Sequence, residues 1–315
     1  ADIVGQAFLA RKLSCARCHD APFHPYKQKD LFNIAATLEG APLKLPEAST
    51  VPVSEGGRKP NVQITLKAGE SIDPHWPFAD LAQTTKFPVP RSAEGIASRY
   101  ELADRVLAPE NPTFARVVVN RVWKRYMGRG IVEPVDDWAF AKPSNPELLD
   151  YLAREFVAGG YDLKHLARTI LLSHAYQRQA AGEFNESVRY FAQPLRRRMT
   201  AEQLVDSSHL AAGKPLDCEE LNLNPLGDRP LTQFLNMGVP ERAWQLTALS
   251  NERDRPALAL PRAQALVDVL TNYGWRQSRQ NPTTVRDDAP SPMQALILAN
   301  GAVGTRVVRL SDGGT

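Results

Sequence analysis

The chain reads as mainly α: a helical domain, preceded by a short helical N-terminal segment and a small proline-rich β excursion. Three observations give that reading. Helix starts are marked repeatedly, because Asn111-Pro112, Asn145-Pro146 and Ser291-Pro292 each set a capping side chain before a proline in the first turn. Apolar residues then recur at spacings of three and four in the stretches that follow. Between 40 and 92 that spacing gives way to prolines, at 42, 46, 52, 60, 74, 77, 88 and 90, and to short alternating runs. The 315 residues divide on this basis into segments 1–40, 41–92 and 93–315.

Taken in order, residues 2–14 carry Ile3, Ala7, Phe8 and Leu13 at helical spacing, which predicts a helix. The prolines of Asp20-Ala21-Pro22-Phe23-His24-Pro25 impose a bend. A second helix is predicted over 27–38, with Leu31, Ile34, Ala35 and Leu38 on one stripe. Thr50–Val53 and Val62–Leu66 read as short strands, with Trp76, Phe78 and Phe87 pinning the excursion to the body. Its length makes it a candidate lid or interface. A helix over 112–127, striped by Phe114, Val117, Val118 and Val122, should stop at Gly128. Another over 146–158, with Leu148, Leu149, Leu152 and Phe156, should stop at Gly159-Gly160. A third, over 162–173, uses Leu163, Leu166, Ile170 and Leu171. Thr200-Ala201-Glu202-Gln203 is a capping box. Further helices are predicted over 95–107, 200–212, 262–273 and 292–300, whereas 214–260 is irregular and carries no clear period.

Composition excludes several classes. Hydrophobic content of 43% and charge of 23% are ordinary for a globular chain. A net charge of +3 does not argue for nucleic acid or an anionic membrane, and Arg196-Arg197-Arg198 is too short for a binding patch. No run of 18 apolar residues exists to span a membrane. Three cysteines do not make a disulfide scaffold, and Cys218, in the acidic stretch Asp217–Glu220, reads as a free thiol. A start at Ala1 without Met, inside an amphipathic stretch, predicts a processed protein or a piece of a longer one.

The most informative residues are Cys15-Ala16-Arg17-Cys18-His19, which spell C-x-x-C-H, the attachment signature of a c-type haem. Residues three and four apart share a helix face, so both thiols and the imidazole can address one flat ligand. The cysteines would form thioethers with the porphyrin vinyl groups, and His19 would be the proximal ligand of iron. Other readings are a redox dithiol, a local disulfide, or part of a zinc site. Zinc needs four ligands; these residues supply three, and no second C-x-x-C or H-x-x-x-H follows. A thioredoxin-like dithiol would need a βαβ context, which is absent.

Longer signatures surround this motif. Cys15–Asp20, Pro22-Phe23 and Gln28-Lys29-Asp30 resemble the haem-binding segment of planctomycete cytochrome c-like proteins. Asn120-Arg121-Val122-Trp123, Gly128-Arg129-Gly130, Glu133–Asp137, Pro146–Asp150 and Gly160–Leu166 resemble the helical domain of unknown function that follows it. So do Arg197–Glu202 and Val285–Pro290, and the likeness covers nearly the whole chain. The resemblance implies a cytochrome-like, exported protein, periplasmic or on the cell surface, carrying one covalent haem c and serving an unknown redox partner. It implies no activity for the helical domain. Many members of the family carry His where this chain has Ala21, and the first part of the cytochrome-like segment would precede Ala1.

An electron-transfer haem usually takes a second protein ligand. Met127, before Gly128, is the candidate distal ligand; His24 is restrained by two prolines, and His75, Met199, Met237 and Met293 are weaker. His165 and His174, nine apart on one predicted helix, cannot face one iron, and His165 suits a structural hydrogen bond. Asp136 and Asp137, with Arg121 near in sequence, offer the only catalytic candidates, as paired carboxylates can do acid–base work. A structural ionic network is nevertheless the preferred reading of these residues, and of Arg286-Asp287-Asp288, which are weighed in the same way. No Ser-His-Asp arrangement, P-loop or dinucleotide-binding glycine motif is present. The leading function is electron transfer. The alternatives are an extracellular enzyme, with carbohydrate as a candidate substrate and its site in the helical domain, or a surface scaffold whose C-x-x-C is a disulfide.

Overall fold

The computed structural model describes residues 1–45, 65–78, 100, 102–104, 106–109, 111–183, 185–224, 229–248, 255–275, 284–287, 289–301 and 304–305. The protein is mainly α, with two small two-stranded antiparallel sheets among these residues. It divides into two compact units, Ala1–Arg196 and Arg197–Thr315. That division falls inside the stretch 93–315 read from sequence as one domain, and residues 1–40 belong to the first unit.

In the first unit, α1 (Asp2–Leu9) is shorter than the predicted 2–14. It stops because Ala10 takes the left-handed conformation, φ 49°. The Arg11 N–H then bonds the Gly5 carbonyl at 3.0 Å, and the Leu13 N–H returns to the Asp2 carboxylate at 3.1 Å. The buried stripe is Gly5 and Leu9, while Ile3 is 44% exposed. Gly5 is required by this turn: a Cβ there would lie 2.8 Å from Leu13 Cδ1. Helix α2 (Gln28–Glu39) lies within a residue of the predicted 27–38 at each end and stops at Gly40, φ 76°. Strands β1 (Leu43–Lys44) and β2 (Ser71–Ile72) pair antiparallel, so the proline-rich excursion leaves and returns at one point. The strand expected at Thr50–Val53, most of that at Val62–Leu66, and Phe87 lie outside the described residues. Trp76 and Phe78 do pack on the body, against the cluster of Leu9, Leu13, Ala16, Tyr26 and Ile34.

Of the helix predicted over 95–107, residues 100, 102–104, 106 and 107 are described and helical. Helix α3 (Pro112–Met127) starts where Asn111 Oδ1 accepts from Thr113 N at 3.0 Å, and stops at Gly128, φ 84°. Its most buried line is Ala115, Val119, Trp123 and Met127, an i, i+4 row, with Val118 and Val122 at the margin. Helix α4 (Pro146–Ala158) is capped by Asn145, and α5 (Leu163–Leu171) by Asp162. The three pack on one another around Leu149, Leu152, Phe156, Leu166 and Ile170. Because α5 ends at Leu171, His174 lies beyond it, and both His165 and His174 are exposed. A short helix α6 (Glu186–Arg189) follows.

The second unit is built on α7 (Ala201–Ala211), which opens with the predicted Thr200/Gln203 capping box. The irregular stretch 214–260 contains strands β3 (Asn222–Leu223) and β4 (Leu235–Asn236), which pair, then α8 (Ala243–Ala248) and α9 (Arg255–Leu258). Helices α10 (Pro261–Asn272) and α11 (Pro292–Asn300) complete it. Its core is Val205, Leu246, Leu266, Val269, Leu270 and neighbours, and includes Cys218, a free thiol only 3% exposed that burial pushes up to a pKa of about 11.

Candidate functional site

The C-x-x-C-H motif opens on a single 3₁₀ turn, Ser14–Arg17, with Cys18 as its C-cap and His19 just after it; Leu13, which precedes the turn, and Ala16 within it are fully buried. In a 3₁₀ turn residues i and i+3 eclipse, so Cys15 and Cys18 share a side. Both are exposed, free thiols, and the Cys18 N–H closes the turn on the Cys15 carbonyl at 3.5 Å. The His19 imidazole is half-buried, with Nδ1 2.8 Å from the Asp20 carbonyl oxygen. A carbonyl only accepts, so Nδ1 carries a proton, and in the neutral ring Nε2 is the nitrogen with the lone pair.

Asp20 in turn is fixed by the body. Its Oδ1 accepts from the Gln28 N–H at 2.8 Å, at the start of α2, and from Thr65 Oγ1 at 2.9 Å. Gln28, 7% exposed, reaches back to the Arg17 carbonyl at 3.5 Å and accepts from Leu66 N at 3.3 Å. The turn is therefore clamped to α2 from both sides of its polypeptide. These residues fit a covalently attached porphyrin: two open thiols on one side and an adjacent imidazole whose tautomer leaves Nε2 as a ligand. Among the described residues, no three His, Cys, Asp or Glu side chains are gathered as a metal-ion cage.

The helical part of the first unit grips this segment from the other end of α1. Arg121, on α3, donates through Nη1 to the Ala7 carbonyl and through Nη2 to the Gln6 carbonyl at 2.7 Å. Its Nε and Nη2 also bond Asp136 Oδ1, at 3.2 and 3.1 Å. Burial pulls the guanidinium below its ordinary pKa, and Asp136 opposes that shift. A cation at a helix C-terminus satisfies its last carbonyls and its dipole. The backbone next to Asp136 joins in: Trp138 N donates to the Ala10 carbonyl at 2.8 Å. Asp137 does not join Arg121; its Oδ2 lies 2.6 Å from Nε2 of His24. The loop itself is held by Asn120, fully buried, which exchanges two hydrogen bonds of 2.9 Å with the Val132 backbone. Gly130 leaves the room: a Cβ there would be 2.7 Å from the Val132 oxygen.

Residues 98–312 match the family PSD1, described as a protein of unknown function (DUF1553), and residues 1–42 match PSCyt2, likewise of unknown function (DUF1549). The chain belongs to the PSD1 family. The resemblance to the planctomycete cytochrome-like proteins read from the motifs is thus supported along the chain, while neither family description assigns an activity. No curated protein and no solved structure matches the chain. No helix of the described residues is long and apolar enough to cross a membrane.

Within the PSD1 part, Met127 is 1% exposed and packed with Trp123, Ile131 and Phe156, a different cluster from the one that carries the C-x-x-C-H turn. Its side chain is packed in that core. Met199, Met237 and Met293 lie in the second unit and are 46–55% exposed, and His75 is exposed. The second unit has a polar centre of its own, where the signatures Arg197–Glu202 and Val285–Pro290 meet. Glu202 Oε2 lies 2.5 Å from Arg286 Nη1, and its Oε1 accepts from Thr247 at 3.1 Å. Asp288 lies outside the described residues. A cavity of about 240 Å³ nearby is lined by Arg198, Met199, Leu204, Tyr273 and Gln294.

The sequence reading missed Asp20, Gln28 and Thr65 as supports of the turn. Asp20 and Gln28 carried a signal, being part of the motif stretches that resemble the family. Thr65 carried none, because its contact spans 45 residues.

Proposed function

We propose that the chain is an exported, periplasmic or cell-surface electron carrier with one haem c held by Cys15, Cys18 and His19. The observation that supports this reading most is the exposure of both free thiols on one side of a turn whose intervening Ala16 is fully buried. Each thiol would add across a porphyrin vinyl group: an S–C bond forms, the C=C becomes single, the thiol hydrogen passes to carbon, and no oxidant is consumed. His19 would ligate through Nε2, held in that tautomer by the Asp20 carbonyl. The bound group supplies a one-electron couple, exchanged with a one-electron donor and acceptor. Asp20 and Gln28 keep the turn from shifting when charge changes.

Arg121 and Asp136 support the enzyme alternative poorly. Both are consumed in holding α1, and Asp137 is engaged by His24. The test is maturation in a host that attaches haem c. Denatured, washed protein should retain haem and give a haem c pyridine spectrum, and Cys15→Ser with Cys18→Ser should abolish both. Properly folded protein that leaves such a host without haem, with a Cys15–Cys18 disulfide by mass, would instead favour the scaffold reading.

A further inference from the structure

Two phenylalanines next to the C-x-x-C-H segment are turned to solvent. Phe23, four residues after His19, is 82% exposed, and Phe140 is 75% exposed. Both are tied to one residue, His24: Phe23 precedes it in the chain, and the Phe140 ring lies 6.4 Å from its imidazole. His24 is not free to swing away. Its ring stacks at 6.0 Å on Tyr26, its backbone N–H bonds the Ala21 carbonyl at 3.5 Å, and Asp137 holds its Nε2. Tyr26 and Ala139 both pack in the cluster that contains Leu13 and Ala16, so this imidazole and the thiol-bearing turn rest on one core. A phenyl ring left in water forfeits the free energy that its burial would supply. Two such rings, on the same core as the turn that carries two open thiols, suit a flat apolar group anchored at those thiols.

We propose that the loop Glu133–Ala141, contributed by the PSD1 part, is the second wall of the C-x-x-C-H site. Asp137 is a positioning residue that sets His24, and Phe23 and Phe140 are the surfaces that the attached porphyrin covers. The proposal rests on the haem reading above. It adds that the two family segments build one site between them.

The experiment uses the full chain loaded with haem c, and variants Phe140→Ala, Phe140→Tyr, Asp137→Asn and, as a control on another exposed ring, Tyr151→Ala. Haem content is read from the pyridine spectrum, the site from the midpoint potential and the Soret circular dichroism, and the oligomeric state from light scattering. Haem content should be equal throughout. Phe140→Ala should lower the potential because the haem gains solvent exposure, Asp137→Asn should shift it as His24 is released and a carboxylate charge is lost, and both should change the Soret dichroism. Phe140→Tyr should restore both, and Tyr151→Ala should change neither. A loss of melting temperature alone, with potential and dichroism unmoved in haem-loaded Phe140→Ala and Asp137→Asn, overturns the proposal and leaves the haem reading standing. So does a dimer that Phe140→Ala dissociates without moving the potential, since a second copy then covers the rings. Wild-type chain devoid of haem after maturation removes the haem reading and this proposal together.

Discussion

Arg121 serves two backbone carbonyls and a carboxylate at once, which separates it from the other arginines of α3. Its side chain is 20% exposed and that of Asp136 is 8% exposed, whereas the Arg116–Asp150 pair is 37% exposed on each side. Removing one partner of a buried pair leaves the other charge uncompensated, at a cost of about 3–5 kcal/mol. An exposed pair contributes about 0–1 kcal/mol. Arg121→Met should therefore lower the unfolding free energy of the first unit by about 3–5 kcal/mol in a urea titration, and Arg116→Met by less than about 1 kcal/mol. Near-silent unfolding curves for both Arg121→Met and Asp136→Asn would return these residues to the catalytic reading. Sequence placed Arg121, Asp136 and Asp137 in one polar group, and the first two do meet. The third was not legible as a separate contact, because its partner His24 is 113 residues away.

Glu202 makes the same argument with pH. Burial alone would raise its carboxyl pKa, but the hydrogen bond and charge of Arg286, its own backbone N–H and Thr247 more than offset this, so the pKa lies below the ordinary value. A group whose folded pKa is depressed stabilises fully above the unfolded pKa, about 4.3 for Glu. That contribution is lost as pH falls through the lower folded value. Glu202→Gln should accordingly reduce stability at neutral pH and flatten the acid limb of a stability–pH curve measured between those pKa values and pH 7. An acid limb as steep as that of the wild type would reject the assignment.

At the scale of the element, starts were legible wherever the cap is local. Asn111, Asn145, Thr200 and Ser291 each accept from a backbone N–H two or three residues on, and their helices begin where the sequence places them. Helix α10 starts without such a signal, since Leu260 has no capping side chain. Its orphan donors go instead to Glu219, whose two oxygens accept from Arg262 N and Ala263 N at 2.8 Å each. A cap supplied from more than forty residues away leaves no pattern in a short window. Glu219→Ala should destabilise the second unit by about 0.5–2 kcal/mol, the range for loss of a side-chain cap. Amide exchange should show the first turn of α10 opening more readily. Unchanged protection at Arg262–Gln264 would mean that water replaces the carboxylate without loss. The stripe of α1 misled for a related reason: Phe8 pairs with Phe114 at 6.0 Å on its outer flank, while Gly5, which no hydrophobicity pattern marks, faces the core.

For the whole molecule, the family segments 1–42 and 98–312 and the compact units Ala1–Arg196 and Arg197–Thr315 do not share a boundary. Local patterning alone favours residues 93–310 as the stable core, which would make residues 1–40 dispensable to it. Long-range contacts argue the opposite for the first unit. Without residues 1–40, Arg121 loses the Gln6 and Ala7 carbonyls, Asp137 loses His24, and Trp138 N loses the Ala10 carbonyl. Phe78 and Ala139 also lose the cluster of Leu9, Leu13, Tyr26 and Ile34 against which they pack. Burying a large apolar side chain stabilises by about 1.5–3 kcal/mol, and a whole domain retains only about 5–15 kcal/mol. Loss of this cluster together with the Arg121 contacts is thus comparable to the entire stability of the unit. Residues 1–196 expressed alone should unfold in one cooperative transition by circular dichroism, because they hold both clusters and every contact just named. Residues 41–196 should show no such transition and should be cut rapidly by protease within α3. A cooperative, protease-resistant 41–196 fragment would show that the C-x-x-C-H segment is an appendage and not part of the first unit's fold.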